Sequence, residues 1–314
     1  MRPIRLLLPF CAALLAAGLA FAKGPAGAPA AQPPVPLLWK VSDADNAVYL
    51  LGSFHLLRAS DYPLSPEVEA AFKDAKTVVF EIAPEEMDSP ALGMQMGQAA
   101  LRTDGSQLDG ELPPATRARL AGWVAAHQEA LRKSGVPAQA LQLFEPWFVG
   151  LTVSVVDMAG LGLDPKLGLD RHFATEAKAA GKATAGLETG AQQIAFLDGM
   201  DRDEQLQFLA EALDEATDRR DLERLHAAWR RGDAKTLWEG MAADMKRQYP
   251  KLYRRIDVDR NDAWVPRIAQ RLDAPGRDDT LVVVGALHLL GSDGVVEKLR
   301  AKGYRVERIC ASCR

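Results

Sequence analysis

The chain has 314 residues, a formal net charge of −4 at pH 7 and three cysteines, and 48% of its residues are hydrophobic. This length and apolar content are enough for one large folded domain. Nucleic-acid binding needs clustered positive charge, so the mildly acidic chain predicts no nucleic-acid partner.

The N-terminus has the pattern of a secretory signal peptide. Arg2 and Arg5 precede an apolar stretch over residues 6–21, at whose end lies the small-residue pattern Ala-Phe-Ala. The stretch is shorter than the roughly 20 residues of a membrane span. We therefore predict a signal peptide over residues 1–22 and a periplasmic or secreted protein with no membrane span after its removal. A retained N-terminal anchor is the alternative.

The rest of the chain divides by composition into a linker and a domain. Residues 23–36 are rich in Pro, Ala and Gly and poor in bulky apolar side chains, which predicts a flexible linker. Residues 37–314 are expected to form a single α/β domain. Its central mixed sheet is built from both ends of the chain, and a large, mostly helical insertion lies at about residues 90–272.

The first part of the domain predicts strands that surround the phrase Gly-Ser-Phe-His. In chain order, the predicted elements are a hairpin over residues 37–41 and 48–51, a helix over 65–75 and a strand over 77–82. The phrase itself, Gly52 to His55, stands where the second hairpin strand ends. The strand over 77–82 is apolar except for Thr77 and one acid, Glu81.

The middle of the chain shows apolar residues at helical spacing. The predicted helices span residues 112–133, 144–158, 170–180, 203–213, 222–229, 234–248 and 262–272. One strand, over 182–187, interrupts them and ends at Glu188. His127 and His226 lie in polar stretches and are predicted to be on the surface, whereas Asp170 is predicted to cap its helix.

The C-terminal part repeats the pattern of the first part. A strand over 280–284 leads to Gly-Ala-Leu-His at residues 285–288, and a helix over 294–302 and a strand over 304–309 follow. Cys310 and Cys313 stand close together at the end, which predicts a local disulfide in an oxidising compartment.

The two Gly-x-x-His phrases predict a shared pocket. His55 and His288 each stand just past a strand end, where ligands bind in open α/β sheets. Glu81 has apolar neighbours, and a buried carboxylate is costly unless it is paired or binds a metal. We predict that His55, Glu81 and His288 hold a divalent metal (Mn²⁺, Co²⁺ or Zn²⁺) with open positions for water. Alternatively, the histidines are structural and Glu81 faces solvent from an edge strand.

Two further residues are predicted to support catalysis beside Glu81. Glu188 ends a strand, as the Gly-x-x-His phrases do, and could transfer a proton. Arg260 stands in Arg-Asn-Asp-Ala-Trp at a helix start and could polarise a carbonyl or hold a carboxylate. A helix cap or a surface ion pair is the alternative for each. The sequence contains no G-x-S-x-G, P-loop, G-x-G-x-x-G or H-E-x-x-H motif.

Together these pieces resemble the TraB/GumN family. The resemblance covers residues 37–309 and rests on both Gly-x-x-His phrases, VVFEI, GLET, RN-x-x-W and the closing GALHLLGSDGVVEKLRAKGYRVERI. The family is related to TIKI-type metalloproteases, which cleave the N-terminus of secreted Wnt signals. More distant relatives are erythromycin-esterase-like hydrolases and haem-binding lipoproteins.

The resemblance implies an α/β core in which both Gly-x-x-His motifs lie at one site. It also implies a metal-dependent hydrolase, most simply a peptidase, in which His55, Glu81 and His288 are central and Arg260 supports them. The expected partner is a peptide or small-molecule substrate. Two alternatives follow from the other relatives: a metal-free esterase-like hydrolase with a histidine base, or a non-enzymatic protein that binds haem or a peptide.

Overall fold

A mixed six-stranded sheet in the order β4-β3-β5-β2-β1-β6 forms the centre of the fold. The computed structural model describes residues 32–216 and 219–311, so the predicted signal peptide and most of the predicted linker lie outside the described residues. The strands are β1 (Leu38–Ser42), β2 (Ala47–Ser53), β3 (Thr77–Ile82), β4 (Ala183–Glu188), β5 (Thr280–Gly285) and β6 (Arg305–Arg308). The prediction of an α/β protein with a mixed sheet is confirmed.

Four neighbouring strands of the sheet run in the same direction. β5 pairs in parallel with β2 on one side and with β3 on the other, and β4 continues the parallel set beyond β3. β1 is antiparallel to both β2 and β6. The carboxyl ends of β2, β3, β4 and β5 therefore meet at one edge of the sheet.

The strand register sets both Gly-x-x-His phrases at the same level. Ser53 pairs with Gly285 across β2 and β5, so each phrase leaves the sheet beside the other. On the other side of β5, Ile82 of β3 pairs with Glu188 of β4. Every residue of β2 and β5 is buried, as expected for the inner strands of a sheet covered on both faces.

Helices fill the connections between the strands. They are α1 (Pro66–Asp74), α2 (Pro84–Met87), α3 (Pro90–Ala100), α4 (Pro114–Lys133), α5 (Pro146–Gly160), α6 (Leu169–Ala179), α7 (Gly190–Asp198), α8 (Arg202–Glu215), α9 (Arg219–Arg230), α10 (Ala234–Met241), α11 (Ala243–Gln248), α12 (Pro250–Tyr253), α13 (Asp259–Leu272) and α14 (Val295–Ala301). No helix in residues 32–216 or 219–311 has the length and apolarity of a membrane span.

The helical middle of the chain has two structural features of its own. The predicted helix over 234–248 is divided at Ala242, where the backbone leaves helical geometry (φ −135°, ψ −31°). A separate hydrophobic cluster joins α4, α5 and α8 through Trp123, Val149 and Leu209. The larger core packs around the sheet and includes the other helices, such as α13.

The prediction that His226 lies on the surface is wrong. The residue is 3% exposed, and its Nε2 lies 2.8 Å from Oδ2 of the buried Asp61. The polar residues around it in the sequence occupy the other side of α9, whereas His226 lies on the same face as Leu222 and Trp229, the positions i−4 and i+3. His127, in contrast, is half-buried on α4.

The last residues described include one half of the predicted cysteine pair. Cys310 follows β6 and is disulfide-bonded. Cys313, its predicted partner, lies outside the described residues. A disulfide is consistent with an oxidising compartment.

Candidate functional site

The four parallel strand ends bring the predicted site residues together. His55 and His288 follow β2 and β5, while Glu81 and Glu188 stand at the ends of β3 and β4. Arg260, in the first turn of α13, contacts both glutamates and His288. All five side chains are buried, at 6% exposure or less. Buried charges at this density are tolerated only when they are paired and hydrogen-bonded.

Arg260 lies between the two acids and one of the histidines. Its Nε is 3.1 Å and 3.2 Å from the two carboxylate oxygens of Glu188, and Nη2 donates to Glu188 Oε1 at 2.5 Å and to Glu81 Oε2 at 2.6 Å. Nη1 lies 3.0 Å from His288 Nε2 and 3.4 Å from the carbonyl oxygen of Ile256. Protein acceptors thus account for the five N–H groups of the guanidinium.

Trp264 completes the surroundings of this arginine. It lies one helical turn after Arg260, and its Nε1–H donates to Glu188 Oε2 at 3.0 Å. Its ring also packs on the guanidinium and on the imidazole of His288. The carboxylate of Glu188 therefore accepts hydrogen bonds from two residues of α13, and it orients Arg260.

His288 is a neutral hydrogen-bond acceptor for Arg260. Because the guanidinium only donates, Nε2 of His288 must carry the lone pair and Nδ1 the proton. Nδ1–H donates to Asn261 Oδ1 at 2.7 Å, and Asp257 Oδ1 lies 3.1 Å away. Burial, followed by the positive charge of Arg260 and by His55, lowers the pKa of His288 well below 6.5. Burial also raises the pKa of Asp257 to about 7.

His55 has a different environment, with one nitrogen fixed and the other free of protein hydrogen bonds. Nδ1 lies 2.6 Å from Asp170 Oδ2, which also accepts from Ser53 Oγ at 2.7 Å. Nε2 is buried without a hydrogen-bond partner and lies 3.8 Å from Glu81 Oε1. Burial alone would lower the pKa of His55, but Asp170, with help from Glu81, outweighs burial and raises it.

The prediction that Asp170 is a helix cap is wrong. The N-cap of α6 is Gly168, and Asp170 lies inside the first turn with its carboxylate on His55 and Ser53. The close approach of this helix depends on Gly168, since a Cβ there would lie 2.0 Å from the backbone oxygen of His55. An acid in the first turn of a helix suits capping and the helix dipole equally well. The sequence alone therefore did not reveal that Asp170 contacts His55.

A small cavity of about 20 Å³ lies beside His55. This is space for a single water molecule. It is lined by His55, Phe80, Glu81, Ile82, Met87, Asp170 and Gln193. Gln193, on α7, is a site residue that the sequence did not indicate, and its Nε2 donates to Glu81 Oε2 at 3.0 Å. The backbone N–H of Gly285 donates to the other oxygen of Glu81 at 2.8 Å.

In this arrangement Arg260 competes with a divalent cation for the lone pairs of the predicted metal ligands. Metal binding would use lone pairs of His55, Glu81 and His288, but Arg260 already donates to His288 Nε2 and to Glu81 Oε2. The guanidinium also places a fixed positive charge among the three residues. Across the described part of the chain, no group of three or more His, Cys, Asp or Glu side chains is placed to hold a metal ion. Metal binding by His55, Glu81 and His288 stays a prediction from the sequence.

The chain matches a known protein family. The model of a family described as TraB/PrgY/gumN matches residues 37–308, which is most of the chain. A search of curated proteins and a search of solved structures found no match. The matched region contains both Gly-x-x-His phrases and all the residues of the site.

Proposed function

Because the chain belongs to the TraB/PrgY/gumN family, we propose that it is a hydrolase of an ester or amide bond in which His55 is the general base and no metal is needed. One observation carries this proposal: Nδ1 of His55 is held by Asp170, while the buried Nε2 has no partner and borders a water-sized cavity. A fixed imidazole with one free basic nitrogen is the arrangement that general-base catalysis requires.

The proposed reaction begins when His55 Nε2 accepts a proton from water. The water oxygen forms a bond to the substrate carbonyl carbon as the proton leaves. The imidazolium then donates this proton to the leaving alcohol oxygen or amine nitrogen as its bond to the carbonyl carbon breaks. Asp170 and Glu81 flank the imidazolium and stabilise its charge, which is consistent with the raised pKa of His55.

In this mechanism the remaining predicted residues keep Glu81 in place. Arg260 joins Glu81 to Glu188 and to the neutral His288. It also offsets the negative charge of the acids, which lets Glu81 stay buried beside His55. We therefore assign positioning roles to Arg260, Glu188 and His288, and we assign proton transfer to His55.

A metal-dependent peptidase, the activity implied by the resemblance, is the second candidate. It is favoured by one feature: Nε2 of His55 and Oε1 of Glu81, a nitrogen and an oxygen donor, lie 3.8 Å apart beside the cavity. Either enzyme would act on a peptide or a small-molecule substrate. The N-terminal sequence and the disulfide at Cys310 support a periplasmic or secreted setting.

Hydrolysis of p-nitrophenyl acetate and of a peptide library, with and without EDTA, tests the proposal. We expect turnover that EDTA leaves unchanged and that His55→Ala lowers by about 10²- to 10⁴-fold. His127→Ala, at a half-buried histidine on α4, is the matched control and should keep wild-type rates. Both variants need wild-type circular dichroism and melting temperatures for this comparison.

Other outcomes separate the alternatives. Activity that is lost in EDTA and restored by Mn²⁺, Co²⁺ or Zn²⁺, with metal bound to the purified chain, would select the metal-dependent candidate. A haem-binding protein would be favoured over a hydrolase by two results together. The protein would turn over no ester or peptide, and haem titration would give a Soret band that His55→Ala removes.

A further inference from the structure

Gln193 is a second buried polar side chain with an unused acceptor at the cavity. It lies on α7, is 5% exposed and borders the same cavity as His55. Its Nε2 donates to Glu81 Oε2 at 3.0 Å, whereas its Oε1 is buried without a hydrogen-bond partner. A buried carbonyl oxygen that lacks a partner is costly, which points to a guest that donates a hydrogen bond.

Two carboxylates determine which atoms of Gln193 and His55 are free to accept a hydrogen bond. Glu81 can only accept, so the end of the Gln193 amide that faces it must be the NH₂ group and the free end must be the oxygen. In the same way, Asp170 requires Nδ1 of His55 to carry the proton in the neutral ring, which leaves a lone pair on Nε2. The cavity therefore offers two acceptors from separate parts of the chain, His55 just after β2 and Gln193 on α7.

A guest that satisfies both acceptors needs two donor hydrogens in a space of about 20 Å³. Water meets both conditions, and the space suits one molecule. We infer that Gln193 Oε1 and His55 Nε2 together hold the water molecule that attacks the substrate, so that Gln193 is a catalytic residue. The inference rests on the proposed hydrolase. One O–H of the water points to His55 and is transferred, while the other stays on Gln193 and holds the oxygen in place for attack.

Competition between water and methanol tests this role. Methanol has a single O–H and can satisfy only one of the two acceptors, so wild-type protein should discriminate against it. Gln193→Met keeps a similar side-chain length and removes the acceptor. In buffer with methanol and p-nitrophenyl acetate, we expect this variant to raise the ratio of methyl acetate to acetate by about fivefold to tenfold and to lower kcat by a similar factor. KM should change little, because the substrate itself keeps its contacts.

Gln95→Met, at an exposed glutamine on α3, is the control and should leave both the product ratio and kcat unchanged. Hydrolysis by Gln193→Met with a wild-type product ratio would overturn the inference and leave the proposed hydrolase intact. Absence of hydrolysis by the wild-type protein would overturn both.

A crystal structure of the wild-type protein gives a readout that does not depend on activity. We expect a water oxygen within hydrogen-bond distance, about 2.7–3.2 Å, of both Gln193 Oε1 and His55 Nε2. A metal ion at that point, or a Gln193 carbonyl turned away from the cavity, would contradict the assignment.

Discussion

Asp170 is the residue whose replacement tests the proposed base most directly. In Asp170→Asn, the carboxylate 2.6 Å from His55 Nδ1 becomes a neutral amide of nearly the same shape. At 2.6 Å and an effective dielectric constant of about 20, the lost attraction to the imidazolium is about 6 kcal/mol before the opposing effect of burial is subtracted. Opposite charges this close typically shift a pKa by about 1–3 units. We therefore expect the pKa of His55 to fall by at least about one unit.

The pH dependence of kcat/KM gives the sign of this effect. Only neutral His55 can accept a proton, so activity should rise with pH as the residue deprotonates. In the wild-type protein this rise should be centred above 6.5, because the pKa of His55 is raised. In Asp170→Asn it should move to lower pH, and the rate on the plateau should fall by about 10²- to 10⁴-fold, because the ring is no longer held in the Nδ1–H tautomer.

The assay is a profile of kcat/KM from about pH 5 to pH 9, paired with an NMR titration of ¹⁵N-labelled histidine. Asn46, on the turn between β1 and β2, donates hydrogen bonds to the backbone carbonyl groups of Leu272 and Ala274, so Asn46→Asp would break these bonds and is not a suitable control. Asp164→Asn is better matched, because it removes an acid from the start of a short helix just before α6. A wild-type profile in Asp170→Asn would refute His55 as the titrating base.

Two further replacements test the surroundings of the site. Arg260→Met leaves Glu81 and Glu188 buried without their cation. We expect urea denaturation to show a loss of about 3–5 kcal/mol in the free energy of unfolding. A loss below about 1 kcal/mol would contradict the pairing of Arg260 with the two acids. Gly168→Ala places a methyl group against the backbone oxygen of His55 and should displace the ring from Asp170. The expected results are a stability loss of about 1–3 kcal/mol and a fall in kcat. The control is Gly97→Ala on α3, where an added Cβ meets open space. Wild-type activity in Gly168→Ala would show that the contact is unimportant.

The sheet was predictable because its signals are local. β2, β3 and β5 are mostly apolar runs bounded by polar residues, and the two Gly-x-x-His phrases mark the ends of β2 and β5 in the sequence itself. The parallel strand ends then bring His55, Glu81 and His288 to one edge. That part of the site follows from the pattern of the chain.

The pairing inside the site was not predictable, because it depends on side chains from distant elements. Arg260 reaches Glu81 across 179 positions, and nothing near either residue specifies this contact. Gln193 stands in an ordinary helix with a Thr189 capping box, where a glutamine is unremarkable in sequence. The burial of His226 could have been predicted, because its spacing from Leu222 and Trp229 places it on the apolar face of α9. The prediction failed because it considered only the polar residues next to His226 in the sequence.

The position of β5 has a consequence for how the protein matures. This strand follows β1 to β4 in the chain, yet it lies between β2 and β3 and joins the two halves of the sheet. Until it emerges from the ribosome, the two earlier strands have no common neighbour, and the imidazole of His288, which follows β5, is missing from the candidate site. The candidate site therefore cannot be completed before β5 and the phrase that follows it have been synthesised.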